Sequence, residues 1–206
     1  MNHPIPKAIS HGDPPPPQRC PWCGTDPLYT AYHDQEWGRP RRDERAMFEF
    51  LVLESAQAGL SWITILRKRE GYRQAFAQFD PERIALYGPA DAERLMSDPG
   101  IVRNKMKIAA TIANARAELA LLGSGRSLSA LVWARAGSRR PCAPQSLADV
   151  PIQTPESEDL ARELKTLGFK HVGPIVAYSL MQAMGVVDDH LASCFLSNPT
   201  PNAPSS

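Results

Sequence analysis

His190 and Cys194 stand four positions apart, so on one turn of helix their side chains point the same way, as two ligands of a single tetrahedral ion must. The other ligands have to come from elsewhere in the chain, and the sequence offers Cys20 with His33 or Cys23 with His33. Zinc accepts a Cys₂His₂ set, and an ion held there would tie the N-terminal segment to the C-terminal turn and close the domain. The plain alternative is a helix-end histidine beside a small core cysteine. The CPWC stretch from Cys20 to Cys23 also has the spacing of a redox motif, but no βαβ pattern surrounds it.

A second constellation gathers around Glu54. Trp22, Tyr29, Tyr32, Trp37 and Trp62 share a stretch of chain with this carboxylate, which falls among Phe50, Leu51 and Ala58 on an apolar helix face. A carboxylate there is expensive unless it is paired or put to use. Aromatic faces beside one semi-buried carboxylate form a slot for a flat ring, strongest for a cationic one. The same aromatics could simply be core, but Glu54 would then need a partner, for which the candidates are backbone, hydroxyls or an arginine from elsewhere in the chain.

The third is the hexapeptide Gly168, Phe169, Lys170, His171, Val172, Gly173 between two apolar helices. Its glycines permit a tight turn, and amides pointing out of a turn at a helix N-terminus hold a phosphate with little dependence on net charge. Lys165, Lys170 and His171 add positive charge. The pattern resembles a helix-hairpin-helix module, which grips a DNA backbone without reading bases, although many helical hairpins have glycines and no ligand.

Helices must position all three. Asp43 offers an N-cap, and Met47, Phe50, Leu51 and Ala58 recur at helical spacing, so the pattern predicts an amphipathic helix over 42–59. Gly59 suits its C-cap, and Ser61 can cap a helix over 62–76 with Arg67, Lys68 and Arg69 on its surface. Asp80-Pro81 and Gly88-Pro89 open two short helices. A longer one is expected over about 101–122 with Ile108, Ile112, Ala115 and Leu119 inward, and 127–136 continues helical. Residues 137–155 read as a proline-rich connection, followed by helices over 157–168 and 174–185 and a final helical turn carrying His190 and Cys194. The segment 20–40 is dense in aromatic and turn residues without clear periodicity. No stretch alternates with period two long enough to be a strand, so the expected class is all-α.

With 206 residues and 43% hydrophobic content the chain can bury a real core. A single domain is expected over 19–196, flanked by disordered tails at 1–18, rich in proline, and at 197–206. No apolar run approaches the roughly 20 residues that span a bilayer, and the start lacks a signal-peptide core. The expectation is a cytoplasmic protein with no membrane partner, a monomer with reduced thiols. A net charge of +1 argues for no long-range attraction to polyanions, yet a local patch suffices to bind nucleic acid.

The stretches RCPWCGTDPLYTAYHDQEWG, LESAQAGLSWITILRKRE, PGIVRNKMKIAATIANA, LGFKHVGPIVAYSLMQAMGVVDDH and HLASC together resemble the DNA-3-methyladenine glycosylase I family of bacterial base-excision repair enzymes. The likeness runs in order from Gln18 to Phe195. It implies an all-α helix-hairpin-helix glycosylase fold with a structural zinc on Cys20, His33, His190 and Cys194. It further implies a base pocket of Glu54 with Trp22, Tyr32 and Trp62, and with Tyr29 and Trp37 nearby. Ala58, Gly59 and Leu60 match the loop that enters the duplex, and LGFKHVGP, residues 167–174, matches the hairpin that holds the backbone of double-stranded alkylated DNA. The implied activity is hydrolysis of the N-glycosidic bond of 3-methyladenine, with Glu54 as the catalytic candidate. The alternative is a binder of damaged DNA with the same fold and no excision. The family pattern departs at Ser55, where glycine is common and where the serine is expected to narrow the pocket or alter a backbone approach. The superfamily's usual catalytic aspartate is absent in this family, and neither Asp188 nor Asp189 is assigned that role.

Overall fold

A computed structural model describes residues 17–137 and 142–197. The two expected tails fall almost wholly outside the described residues; Gln18, placed in the first of them, accepts a hydrogen bond from Phe195 N at 2.8 Å.

Among the described residues the structure holds nine α-helices and no strand: α1 (Pro27–Gln35), α2 (Glu44–Gln57), α3 (Trp62–Ala75), α4 (Pro81–Ala85), α5 (Pro89–Ser97), α6 (Lys105–Gly123), α7 (Leu128–Trp133), α8 (Pro155–Thr166) and α9 (Pro174–Ala183). The all-α expectation is met. None of these helices is long and apolar enough to cross a membrane.

Local chemistry explains most of the helix starts. Asp43 accepts from Ala46 N, and Asp80 from Glu82 N and Arg83 N with Pro81 in the first turn. Asn104 accepts from Met106 N and Lys107 N, so α6 begins at Lys105 and not at 101 as its apolar pattern suggested. Such caps supply acceptors for amides that have no partner inside the helix. The unexpected element is α1. It carries the signature that reveals α4, an aspartate followed by proline, for Asp26 accepts from Leu28 N and Tyr29 N and Pro27 opens the helix.

The core is built around α2. Every residue from Met47 to Ala56 is buried, so this helix is not amphipathic as expected but enclosed on all sides, with α3, α6, α7 and α9 packed against it. The long α6 is likewise covered on more than one side by α2, α4 and α5. Asn114, Glu118 and Leu121 are therefore buried, while Leu119, expected inward, is only partly covered. Glu118 is 0% exposed, and burial first, then the neighbouring Glu44 carboxylate, pushes its carboxyl up to about 9. Glu44 itself accepts from Leu128 N at 2.6 Å and from Ser129 N at 3.1 Å, closing the start of α7 onto α2.

The expected final helical turn is not a helix. His190 and Cys194 lie in a non-helical turn, held by a bond from Cys194 N to Leu191 O at 2.7 Å. The two side chains still converge, because the turn wraps around the chain that carries Cys20.

Candidate metal centre and base-binding cleft

Cys20, His33, His190 and Cys194 are all buried, and their donor atoms lie within 4.8 Å of one another. Cys194 Sγ is 3.4 Å from His33 Nε2 and 3.7 Å from His190 Nδ1, and Cys20 Sγ is 3.7 Å from His190 Nδ1. A tetrahedral zinc with bonds of about 2.3 Å to sulfur and about 2.05 Å to nitrogen requires S···N edges of about 3.6 Å. The donor set and its spacing fit that ion. Cys23 takes no part: its Sγ donates to Cys20 O at 3.2 Å.

The surroundings are arranged as metal ligands need. His33 Nδ1 meets Asp34 Oδ1 at 2.8 Å, and Asp34 is clamped by Arg19, so the other ring nitrogen is turned toward the cysteines. Leu191 N donates to Cys20 Sγ at 3.4 Å. Burial pushes the Cys20 thiol up to about 12 and lowers His190, so the site disfavours both a bare thiolate and an imidazolium. A bound divalent cation reverses this for the thiols, since coordination removes the proton. Gly38 is required beside it, because its φ is +73° and a Cβ there would stand 3.0 Å from His190 Nε2.

The chain between the ligands supplies the walls of a cleft of about 190 Å³. Trp22 comes from the turn after Cys20, Tyr29 and Tyr32 from one face of α1, Glu54 from α2, Trp62 from the start of α3, and Trp37 from the segment after α1. The rings form one cluster. Trp22 lies 5.1 Å from Tyr29 and 5.0 Å from Trp37 between centroids, and Tyr32 lies 5.4 Å from Trp62. All six residues expected at the base slot line this one cleft. The sequence reading missed Gln57, Ser179, Gln182 and Asp189, together with Leu147 and Val150 from the connection before α8. Gln57 follows Glu54 by three, and Ser179 and Gln182 are three apart on α9, a helical spacing that could have found them. Nothing in the sequence marks Leu147 or Val150. Asp189 is buried and accepts from Tyr178 Oη at 2.6 Å and from Gln182 Nε2 at 2.7 Å.

Glu54 is 5% exposed and makes no hydrogen bond to any described residue. Burial holds its carboxyl up at about 8. No described arginine pairs with it, and Arg69 on α3 is engaged with Glu49 at 2.6 Å and Glu36 at 2.8 Å. Trp62, 8% exposed, also keeps its indole N–H unpaired among the described residues. A buried acid and a buried donor without protein partners are costly unless a ligand meets them. Ser55 does not narrow this cleft. One residue along a helix turns the side chain by about 100°, and Ser55 faces a separate void of about 10 Å³ beside α6.

The family described as methyladenine glycosylase matches residues 22–197. The chain belongs to that family. DNA-3-methyladenine glycosylase 1 of Escherichia coli (strain K12) is 47% identical over 179 residues, which cover 86% of this chain and 95% of that protein. A crystal structure of 3-methyladenine DNA glycosylase I superposes with a TM-score of 0.85 at 50% identity, covering 88% of this chain and 100% of the other. A variant of 3-methyladenine DNA glycosylase I in complex with 3-methyladenine superposes at 0.80 with 36% identity, covering 85% and 95%.

In this methyladenine glycosylase family member the segments expected to face DNA lie outside the cleft. Ala58, Gly59 and Leu60 are exposed after the end of α2. The hairpin between α8 and α9 exposes Lys165, Lys170 and His171, whereas the side chains of Phe169 and Val172 are buried in the core. Phe169 and Val172 can therefore meet a ligand only through backbone. No described acceptor meets the backbone N–H groups of His171, Val172, Gly173, Ile175 or Val176. Gly173 has an ordinary φ of −87°, and no atom stands within 4 Å of where its Cβ would be, so its glycine leaves open space in front of those amides.

Proposed function

We propose that the protein, as a monomer, excises 3-methyladenine from double-stranded alkylated DNA by extruding the nucleotide into the aromatic cleft and hydrolysing its N-glycosidic bond. The observation that carries the reading is Glu54, a buried carboxylate lining an aromatic cleft with no hydrogen-bond partner among the described residues. The family and the names of the relatives support the substrate.

Alkylation makes adenine a cation and a good leaving group, so the protein's main task is selection. The ring faces of Trp22, Tyr32, Trp37 and Trp62 favour a positive ring over a neutral one. Glu54 accepts from the exocyclic amine and repels a base that presents an acceptor at that position. Burial keeps the Glu54 proton on in the empty cleft, and an arriving cation offsets that cost and favours the carboxylate. Water then attacks the sugar. The described lining of the cleft includes no lysine, which supports hydrolysis without a Schiff base and hence a monofunctional enzyme.

Cys20, His33, His190 and Cys194 would hold Zn²⁺ with four protein ligands. Closed in this way the ion offers no open position and serves as a staple. The hairpin, acting as a helix-hairpin-helix, presents its unpaired amides and the start of α9 to a backbone phosphate, and the Ala58–Leu60 loop enters the duplex where the nucleotide leaves.

The test is release of free base from methylated duplex DNA by wild type and by Glu54→Gln. Release by wild type with strong loss in the variant supports the reading. Binding of the damaged duplex with no base released and no abasic site formed would overturn it in favour of a non-catalytic binder.

A further inference from the structure

The loop at 58–60 and the hairpin at 168–173 are far apart in sequence, yet one helix holds both. Lys107, in the first turn of α6, donates to Ala56 O at 2.7 Å and to Ala58 O at 2.8 Å. These carbonyls end α2, where the helix leaves them without partners and where a cation is favoured. Asn114, further along α6, makes a two-way amide pair with Lys170: Lys170 N donates to Asn114 Oδ1 at 2.6 Å, and Asn114 Nδ2 donates to Lys170 O at 3.1 Å. The next residue, His171, has a φ of +56°, a conformation that needs support in a residue other than glycine.

Among the described residues these are the only hydrogen bonds that tie either segment to a helix other than those that flank it in the chain. Within the loop itself the described bond is that from Leu60 N back to Gln57 O, and the hairpin otherwise bonds to its flanking helices, to the end of α8 and, through Gly173 O, to Ala177 N of α9. Lys107 and Asn114 are seven residues apart, two turns of one helix face, which sets their attachment points about 10 Å apart along the axis. Ala56, Lys107, Asn114 and His171 all border the small void between α2, α6 and the hairpin. Neither Lys107 nor Asn114 lines the base cleft.

We infer that α6 is a brace that fixes the distance between the duplex-entering loop and the phosphate-binding hairpin, with Lys107 and Asn114 as positioning residues. The inference rests on the proposed function for the roles of the two segments. Extruding a nucleotide requires that one segment press on the duplex while the other holds its backbone. Two segments that wander independently must be ordered at the expense of binding energy, whereas a shared strut orders them beforehand.

The experiment measures duplex affinity, kcat, KM and free 3-methyladenine affinity for Lys107→Met, Asn114→Ala, the double variant and Lys107→Arg. Each single loss variant is expected to weaken binding of methylated duplex, and raise KM, by about tenfold while free-base affinity and kcat stay within about twofold. Because both fasteners set one distance, the double variant is expected to be little worse than the worse single one. Lys107→Arg keeps donors for both carbonyls and is expected to bind duplex nearly as wild type does. Losses that multiply in the double variant, equal loss of free-base affinity, single variants that bind as wild type does, or no rescue by arginine would each overturn the brace. The same series on duplex carrying a stable abasic-site analogue reads the brace independently of excision. A wild type that released no base would thus count against the functional reading, and the affinities would still decide the brace.

Discussion

The indole of Trp37 meets the imidazole of His190 edge-on, with ring centroids 4.7 Å apart and planes at 87°. Trp37 lines the aromatic cleft and His190 belongs to the Cys/His cluster that could hold a metal, so one ring pair joins the two sites. Trp22 makes a second joint, 5.2 Å from His33 and 5.0 Å from Trp37.

Removal of the metal is therefore expected to disturb base binding as well as folding. Treatment with a strong chelator should lower Tm and weaken affinity for free 3-methyladenine, followed by tryptophan fluorescence, and added zinc should restore both. Asp34→Ala, which frees the His33 ring, should reduce zinc affinity by about 10- to 100-fold. An unchanged Tm and unchanged base affinity in verified metal-free protein would refute the coupling.

Glu54→Gln is expected to slow base release by about 100-fold or more, since it removes the charge that meets the cation. In wild type, kcat/KM should rise with pH as the carboxyl ionises near 8, and the variant should lack that limb. Stability has the opposite sign. Below the ordinary value of 4.5 the group is protonated in both states. As pH rises from there, only the unfolded chain gives up its proton, so the stabilisation is fully present below 4.5 and is lost as pH rises through about 8. The slope is at most about 1.4 kcal/mol per pH unit. Glu118, held up to about 9, adds a decline over the same window, so Glu54→Gln should flatten the curve in part. Urea titrations across that range measure it.

Arg69 stands behind the cleft, its guanidinium 5.0 Å from the centre of Phe50, which stacks on Tyr32 and Trp62. Arg69→Met leaves Glu36 and Glu49 without their shared cation, although Arg73 still reaches Glu49 at 2.9 Å. With Arg69's side chain only 12% exposed, the expected loss is about 2–3 kcal/mol by chemical denaturation. Lysine should recover only part of it, because it lacks the fork that engages two carboxylates at once.

Lys170→Ala removes an exposed cation beside the unpaired hairpin amides. It should weaken duplex binding evenly across sequences and reduce the slope of log affinity against log salt by about 1, with free-base affinity unchanged. A sequence-dependent loss would place Lys170 at a base edge instead.

The sequence by itself determined the all-α class, most helix starts and which residues are candidates for the chemistry. Aspartate, asparagine and proline act on their own next few residues, so the starts at Pro81, Pro89 and Lys105 are written locally, as is that of α1, whose Asp26-Pro27 signal is equally plain. Glu54 was legible because a carboxylate between apolar residues is costly wherever the chain goes. Spacing alone left Cys20 and Cys23 as rivals, and it took the resemblance to favour Cys20. Only tertiary structure turned Cys23 away from the cluster, because Cys20 lies 170 residues from His190 and no local rule relates them. The same holds for Leu147 and Val150 in the cleft, for Ser55 facing away from it, and for Lys107 and Asn114. Burial and hydrogen bonding between helices are decided by where whole elements pack, and periodicity specifies which face of a helix is apolar without naming the helix that will cover it.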